Sequence, residues 1–333
     1  MDIKNVFIIA EVGSVHDGSF GNAKKLIDAA ADCGADAIKF QTHIPEAETT
    51  HDAPSPGYFS AEDRFSYFRR TGFTQQQWGE LKTHCDELGI VFMSSPFSNQ
   101  AVDLLSALDM DVYKIPSGEV TNLPMLEKIA SIDKPVFLSS GMSDWAELDA
   151  AMEVLSAVKD KVVIMQCSSM YPCQDEHVGL NVLAEMKQRY GVRVGFSDHT
   201  KDAYAILAAV TLGASVVEKH FTFSKLMYGS DAQHSMEPEE FTQLVQSVRG
   251  IQRILQCPVD KNGLDHYSDM KRIFEKSLVA SRTLRAGEVL QTGDIHIKKP
   301  GTGISAAAMK KYIGRVLVRT VESDQLFNES DFQ

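Results

Sequence analysis

Two stretches late in the chain, VRVGFSDH at residues 192–199 and ASVVEKHF at residues 214–221, decide the fold prediction. Each is a short run of mostly apolar, strand-forming residues that leads to a histidine. If the two runs are neighbouring parallel strands, their carboxyl ends lie at the same rim, where His199 and His220 can share a divalent metal ion. A single histidine often only completes hydrogen bonds at a strand end, but two at equivalent positions favour a metal site.

Similar runs recur through the first 220 residues and alternate with amphipathic, helix-like segments. The strand-like runs are residues 6–10, 37–40, 90–93, 112–115, 135–138, 162–165, 192–196 and 215–217. Eight such strands close a parallel barrel of about 250 residues, whereas a doubly wound sheet would show a glycine-rich dinucleotide loop after its first strand. No such loop and no Walker motif is present in the sequence. We therefore predict an α/β fold, a (β/α)8 TIM barrel.

The repeating pattern changes near residues 258–263, and short β-like pieces separated by Gly and Pro follow from residue 277. We predict a barrel domain at residues 1–262, a linker at 263–276 and a small β-rich domain at 277–333. The long interruption between Thr42 and Thr74, which contains PSPG at residues 54–57, is expected to form a loop on the catalytic face.

Composition narrows the function classes. The 333 residues carry a formal net charge of −12 and no Lys/Arg run, which argues against nucleic acid or an anionic membrane as a partner. The first apolar run, residues 6–10, is too short for a signal or membrane-spanning segment, so a cytoplasmic location is expected. The five cysteines lack C-x-x-C spacing and are expected to be reduced thiols.

Polar residues accumulate at the predicted strand ends, where barrel enzymes carry their chemistry. Lys39 and Lys114 lie inside apolar runs, and a buried ammonium group needs a fixed negative partner. We expect a phosphate or carboxylate ligand to be that partner, with serine hydroxyls and the Gly141 turn as further donors. Together with a metal held by two histidines, this predicts a reaction between a phosphorylated small molecule and a carbonyl compound.

Several short motifs, in this order along the barrel, resemble those of the sialic acid synthase family. They are IAEVG at residues 9–13 with His16 and Gly18, IKFQ at 38–41, SPF at 95–97, KIPSGE at 114–119, SSGM at 139–142, Tyr171-Pro172, FSDH at 196–199 and EKHF at 218–221. The tail, with PGTG at 300–303 and GRVL at 314–317, resembles the antifreeze-like (SAF) domain of that family.

The resemblance implies condensation of phosphoenolpyruvate with an N-acylated hexosamine such as N-acetylmannosamine, giving a nine-carbon 2-keto acid and phosphate. It also implies a domain-swapped homodimer and a divalent metal, Mn²⁺ or Mg²⁺, bound by His199 and His220. Residues expected to bind phosphoenolpyruvate are Lys39, Ser95, Lys114, Ser117, Ser139, Ser169 and Ser197. Those expected to bind the sugar are Gln41, Tyr171, Asp231 and Lys299. The catalytic residues are expected to be Glu119, which handles the proton of the attacking water, with Glu11, Lys39 and Lys114.

Four positions depart from the family pattern: Val15, Ser169, Ser230 and Lys299. The last stands where the family has an arginine, whose planar fork of donors lysine does not reproduce. A trideoxy diacetamido acceptor, which would give legionaminic or pseudaminic acid, is therefore an open alternative.

Three further alternatives remain at this point. A synthase for arabinose 5-phosphate or erythrose 4-phosphate would need a second cationic cluster, which the sequence does not show. A metal-dependent aldolase would release no phosphate. A non-catalytic carbohydrate- or ice-binding protein would leave the polar strand ends without a role.

Overall fold

The computed structural model describes residues 5–54 and 62–333, and the chain divides into two units, Met1–Cys257 and Pro258–Gln333. Part of the loop predicted on the catalytic face, including residues 55–57 of PSPG, lies outside the described residues.

The eight predicted strands form a closed barrel in chain order, which confirms the predicted TIM-barrel fold. The strands are β1 Phe7–Gly13, β2 Ala37–Thr42, β3 Val91–Pro96, β4 Tyr113–Ile115, β5 Val136–Ser139, β6 Val162–Cys167, β7 Arg193–Asp198 and β8 Val216–His220. All neighbouring pairs are parallel, and β8 closes the barrel against β1 with Glu11 opposite His220. Since all eight carboxyl ends lie at one rim, residues far apart in sequence meet there.

The connecting helices begin and end where local sequence signals occur. They are α1 Phe20–Asp32, α2 Pro45–Glu48, α3 Arg64–Thr71, α4 Gln75–Leu88, α5 Asn99–Ala107, α6 Leu123–Ser131, α7 Trp145–Val154, α8 Val182–Tyr190, α9 Tyr204–Thr211 and α10 Pro238–Gln256. For example, Thr74 and Gln77 form a capping box at the start of α4, and Gly89 ends it in the left-handed conformation at φ +72°. No helix in the described part of the chain is long and apolar enough to cross a membrane.

Alternation along the strands divides the barrel core into two layers of side chains. Val217 and Phe221 join the large outer cluster between the sheet and the helices, while Val216 belongs to a smaller interior cluster. The interior cluster consists of Phe7, Ile9, Ala37, Met93, Val112, Phe137, Val163, Met165 and Val216. This apolar plug fills the barrel, so the polar residues further along each strand lie above a closed floor.

The second unit has its own hydrophobic core, formed around Leu278, Leu284, Leu317 and Phe327. Its strands, β9 Ser277–Ala280 and β10 Ile295–Lys298, pair antiparallel, and its helices are α11 Ser268–Phe274 and α12 Met309–Tyr312. The β-like piece predicted at residues 315–321 forms only isolated bridges, such as Leu317 to Phe332.

Candidate active site

A polar layer lies directly above the apolar plug. On seven strands the interior position two residues beyond the last plug residue is polar or a cysteine, and on β7 Ser197 takes the same position two residues after Gly195. These residues are Glu11, Lys39, Ser95, Lys114, Ser139, Cys167, Ser197 and Glu218, all of them buried. His199 and His220 follow Ser197 and Glu218 by two further residues. The barrel therefore brings together most of the residues predicted from the sequence.

The charged members of this layer form one network. Lys114 Nζ donates to both oxygens of Glu218, at 2.9 and 2.8 Å, and Lys39 Nζ lies 2.8 Å from Glu11 Oε2 and 3.6 Å from Glu218 Oε1. Lys39 also donates to Ser95 Oγ at 3.3 Å, and Ser197 Oγ donates to Glu218 Oε1 at 3.1 Å. Two lysines and two glutamates make the formal charge of the network zero.

This pairing corrects one expectation. We expected a ligand anion to neutralise Lys39 and Lys114, but Glu11 and Glu218 already do so. The pairing is across the barrel, between residues as far as 104 positions apart, so no local spacing indicates it.

Burial and pairing shift the acidity of the two glutamates in opposite directions. Burial raises the pKa of Glu11 to about 7, even though Lys39 acts against this rise. Burial would also raise the pKa of Glu218, but Lys114 and Lys39 outweigh that effect and lower it. Glu218 is thus a permanent counter-ion, whereas Glu11 can exchange a proton near neutral pH.

A small cradle lies beside this layer, at the turn after β5. Gly141 N donates to Ser117 Oγ at 3.1 Å. A Cβ atom at Gly141 would lie 2.4 Å from Ser169 Oγ, 2.7 Å from Ser117 Oγ and 3.1 Å from Cys167 Sγ. Two hydroxyl groups and a backbone amide therefore converge on a space that only glycine leaves open, which suits an anionic group.

The two histidines meet as predicted. Their ring centroids are 5.4 Å apart, and the Tyr171 ring lies 4.2 Å from that of His199. His199 Nδ1 is 2.7 Å from the carbonyl oxygen of Ser168, so this nitrogen carries a proton and, in the neutral ring, Nε2 has the lone pair. His220 Nδ1 is buried and has no hydrogen-bond partner among the residues that the structure describes. Both rings thus fit a metal ion, although no group of three His, Cys, Asp or Glu residues suited to a metal occurs within the described ranges.

A cavity of about 280 Å³ opens above the cradle and the histidines. The predicted residues that line it are Gln41, Ser117, Ser169, Tyr171, His220 and Asp231. A Cβ atom at Gly13, whose φ is +48°, would lie 2.6 Å from Asp231 Oδ2, 3.4 Å from Gln41 Nε2 and 3.6 Å from Glu11 Oε1. Two groups predicted to bind the sugar, Gln41 and Asp231, therefore converge at Gly13 with Glu11, which is predicted to be catalytic.

Glu119 and Lys299 are not among the residues that line this cavity. Glu119 lies in a short 3-10 turn after β4, and its Oε2 accepts a hydrogen bond of 2.8 Å from Asn122 Nδ2. Burial raises its pKa. Lys299 belongs to the second unit, where its Nζ lies 4.7 Å from the centre of the Phe274 ring.

Sequence reasoning gave no role to several residues of the site. Glu218 could have been assigned one, because it precedes His220 by two positions on a strand and must share its face. His43 and Arg64 also line the cavity. His43 follows β2 and Arg64 is the first residue of α3, and their spacing in the sequence does not indicate a role in the site. Conversely, Asp198 and Lys219, which also lie at the strand ends, point to the outer face and pair with each other at 2.7 Å.

Comparison with known proteins agrees with this geometry. The model of the NeuB family matches residues 26–259, and that of the SAF domain matches residues 275–333. The chain is 36% identical to N,N'-diacetyllegionaminic acid synthase of Campylobacter jejuni, over 98% of this chain and 100% of that protein. It is 33% identical to human N-acetylneuraminate-9-phosphate synthase, over 97% of this chain and 92% of that protein.

Among solved structures, the fold is similar to that of the N-acetylneuraminic acid synthetase of Leptospira borgpetersenii crystallised with citrate. The TM-score is 0.71 at 28% identity, covering 81% of this chain and 92% of that chain. The barrel, its polar rim and the tail thus lead to one conclusion: this chain belongs to the NeuB family and carries a SAF domain.

Proposed function

We propose that this protein condenses phosphoenolpyruvate with the aldehyde of an N-acylated hexosamine to give a nine-carbon 2-keto acid and inorganic phosphate. NeuB family synthases are phosphoenolpyruvate-dependent condensing enzymes. The observation that carries the proposal is that His220 and the two hydroxyl groups of the Gly141 cradle line one cavity, while the buried Lys–Glu layer lies two residues before His220 on β8.

The layer and the cradle would bind phosphoenolpyruvate. Glu218 takes two of the three N–H donors of Lys114 and thereby fixes its ammonium group, which leaves one donor for the ligand. Ser117 and Ser169 would hold the phosphate, and the amide of Gly141 orients the Ser117 hydroxyl, to which it donates. Ser95, Ser139 and Ser197, at the ends of β3, β5 and β7, would complete the polar surroundings.

In the reaction, C3 of phosphoenolpyruvate forms a bond to the aldehyde carbon, whose oxygen becomes a hydroxyl. Water then adds to C2, and the C–O bond to phosphate breaks. We assign the proton of that water to Glu119 and a supporting role to Glu11, as the resemblance to the family implies. Burial raises the pKa of both groups, that of Glu11 to about 7.

His199 and His220 would hold a divalent ion, Mn²⁺ or Mg²⁺, with water and substrate as the remaining ligands. When bound, the ion would polarise the aldehyde oxygen of the acceptor as a Lewis acid. The contact of His199 Nδ1 with the Ser168 carbonyl supports this assignment, since it fixes the ring tautomer.

The cavity wall bears on the choice of acceptor. Phe68, Phe97 and Met142 make part of it apolar, and Arg64 is the one arginine or lysine among the described residues that line it. This favours an unphosphorylated amino sugar over an aldose phosphate. The apolar part also suits the methyl groups of a 2,4-diacetamido-trideoxyhexose, which makes legionaminic acid synthesis the second candidate.

A domain-swapped homodimer is part of the proposal, with Lys299 contacting the sugar in the barrel of the partner subunit. Support comes from α11, where Met270, Ile273 and Phe274 are exposed, each with more than half of its surface accessible. Exposed apolar side chains so close together are typical of interaction surfaces. Light scattering would measure the oligomeric state, and a fully active monomer would remove the role of Lys299.

The test is to incubate purified protein with phosphoenolpyruvate, Mn²⁺ and a panel of acceptors, and to follow phosphate release and product mass. The panel contains N-acetylmannosamine, its 6-phosphate, a 2,4-diacetamido-trideoxyhexose, arabinose 5-phosphate and erythrose 4-phosphate. We expect a product with at least one unphosphorylated amino sugar, and loss of most turnover in His199→Ala and His220→Ala. Absence of phosphate release with every acceptor, in protein shown to bind Mn²⁺, would favour a non-catalytic carbohydrate-binding protein.

A further inference from the structure

His43 is held on every side at the wall of the cavity. Its ring lies between those of Phe68 and Phe97, with centroid distances of 3.5 and 4.1 Å and interplanar angles of 17° and 20°. Its Nδ1 is 2.8 Å from Glu48 Oε1, and its Nε2 is 3.1 Å from Gln41 Oε1. The side chain is only 4% exposed, so these contacts leave the ring one position.

The hydrogen bonds of His43 determine which way the Gln41 amide faces. A carboxylate oxygen only accepts, so Nδ1 of His43 must donate to Glu48. With a second proton on Nε2, the ring donates to Gln41 Oε1, and Gln41 Nε2 then donates to Glu11 Oε1 at 3.0 Å. With no proton on Nε2, the Gln41 amide must turn to present its NH₂ group to the ring.

The charged groups that face His43 influence whether its Nε2 carries a proton. Burial lowers the pKa of His43, Glu48 and Asp231 act in the opposite direction, and Arg64 adds to the lowering. In either protonation state, the ring determines whether the oxygen or the NH₂ group of the Gln41 amide faces it. The other end then faces the interior, where Gly13 leaves room between Gln41, Asp231 and Glu11.

We propose that His43 is a positioning residue for the acceptor sugar, which orients the Gln41 amide while Glu48 fixes the tautomer of His43. This inference rests on the proposed function, because Gln41 is there a ligand of the sugar. His43 contacts Gln41 directly but reaches the phosphoenolpyruvate ligand Lys39 only through Gln41 and Glu11, so its main effect should be on the sugar.

Three substitutions of one residue separate the hydrogen bond from the ring packing. His43→Phe keeps the stack between Phe68 and Phe97 and removes both hydrogen bonds. His43→Asn places an amide where only Glu48 is in reach. His43→Gln extends an amide to the position of Nε2, where it can complete the hydrogen bond to Gln41. His84→Phe is the matched control, since His84 also pairs with a carboxylate, that of Asp28 at 2.6 Å, on the helical exterior.

We expect the KM for the sugar to rise roughly tenfold in His43→Phe and His43→Asn, as for the loss of one well-placed hydrogen bond. The KM for phosphoenolpyruvate should stay within about twofold, and His43→Gln should recover most of the affinity for the sugar. His84→Phe should change neither KM. Equal effects of all three His43 variants, or a wild-type KM for the sugar in His43→Phe, would overturn the inference.

Calorimetric titration of each acceptor into the same variants makes the test independent of turnover. If wild-type protein binds a sugar but makes no product, the proposed function fails, and the same comparison of affinities still decides the role of His43. If wild-type protein binds no acceptor of the panel, both proposals are wrong.

Discussion

Replacing Lys219 by methionine should destabilise the barrel more than the replacement of an exposed, ion-paired lysine by methionine. The Lys219 ammonium lies 2.7 Å from Asp198 Oδ2 and also donates to the carbonyl oxygens of Thr200 and Asp202. The side chains of Lys219 and Asp198 are 1% and 0% exposed. The pair joins β7 to β8 one residue before each of the two histidines of the site.

The magnitude follows from what the substitution leaves behind. Methionine fills most of the space of the lysine stem but leaves the Asp198 carboxylate buried without its counter-ion. Breaking a buried pair in this way costs roughly 3–5 kcal/mol. Asp198 keeps its hydrogen bonds from Thr200 N and Thr200 Oγ1, at 2.9 and 3.0 Å, so we expect about 3 kcal/mol.

Urea unfolding followed by tryptophan fluorescence measures this loss, because both tryptophans, Trp78 and Trp145, lie in the first unit. Lys225→Met is the matched control: its partner is Glu240 at 2.7 Å, and the two side chains are 42% and 47% exposed. Such exposed pairs contribute about 0–1 kcal/mol. Adding Asp198→Asn to Lys219→Met should recover part of the stability. A loss within about 1 kcal/mol of the control would refute the reasoning.

Three further predictions address the site and the fold. Because the ion would polarise the aldehyde oxygen of the acceptor, removal of the metal with EDTA is expected to lower the rate of phosphate release at least about tenfold, and added Mn²⁺ should restore it; an unchanged rate would contradict the metal assignment. Gly141→Ala places a methyl group within 2.7 Å of the hydroxyls of Ser117 and Ser169, so the KM for phosphoenolpyruvate should rise far more than that for the sugar. Burial lowers the pKa of His16 from 6.5 to about 4, and between these values the unfolded chain binds a proton that the folded protein does not. Stability should therefore fall by up to about 3 kcal/mol as the pH is lowered through this range. In His16→Phe that part of the stability curve, measured by urea unfolding, should be flatter, and an unchanged slope would exclude His16 as the cause.

The strands could be predicted because a parallel barrel buries both faces of its sheet, so that each strand is a run of apolar residues. The predicted bounds ended early at the rim. The prediction for β8 ended at Val217, whereas the strand continues to His220 through Glu218 and Lys219. Glu218 and His220 point into the barrel interior, and Lys219, on the outer face, pairs with Asp198, so these polar residues can continue the strand.

The small domain was harder to predict in detail. Its residues 315–321 make single bridges rather than a strand, because pairing there depends on neighbours such as Phe332 that come from distant parts of the unit. β-structure of this kind is decided by tertiary contacts more than by local preference.

The sequence by itself determined the order of strands and helices, the position of each polar residue at a strand end, and the meeting of His199 with His220. These follow from local periodicity and from the rule that parallel strands end at one rim. Only the tertiary structure decided which charges pair. Glu218 neutralises Lys114, and His43 contacts Gln41 while Phe68 and Phe97 enclose it. The reason is physical: closing the barrel brings side chains together across its interior, and no spacing along the chain records those distances.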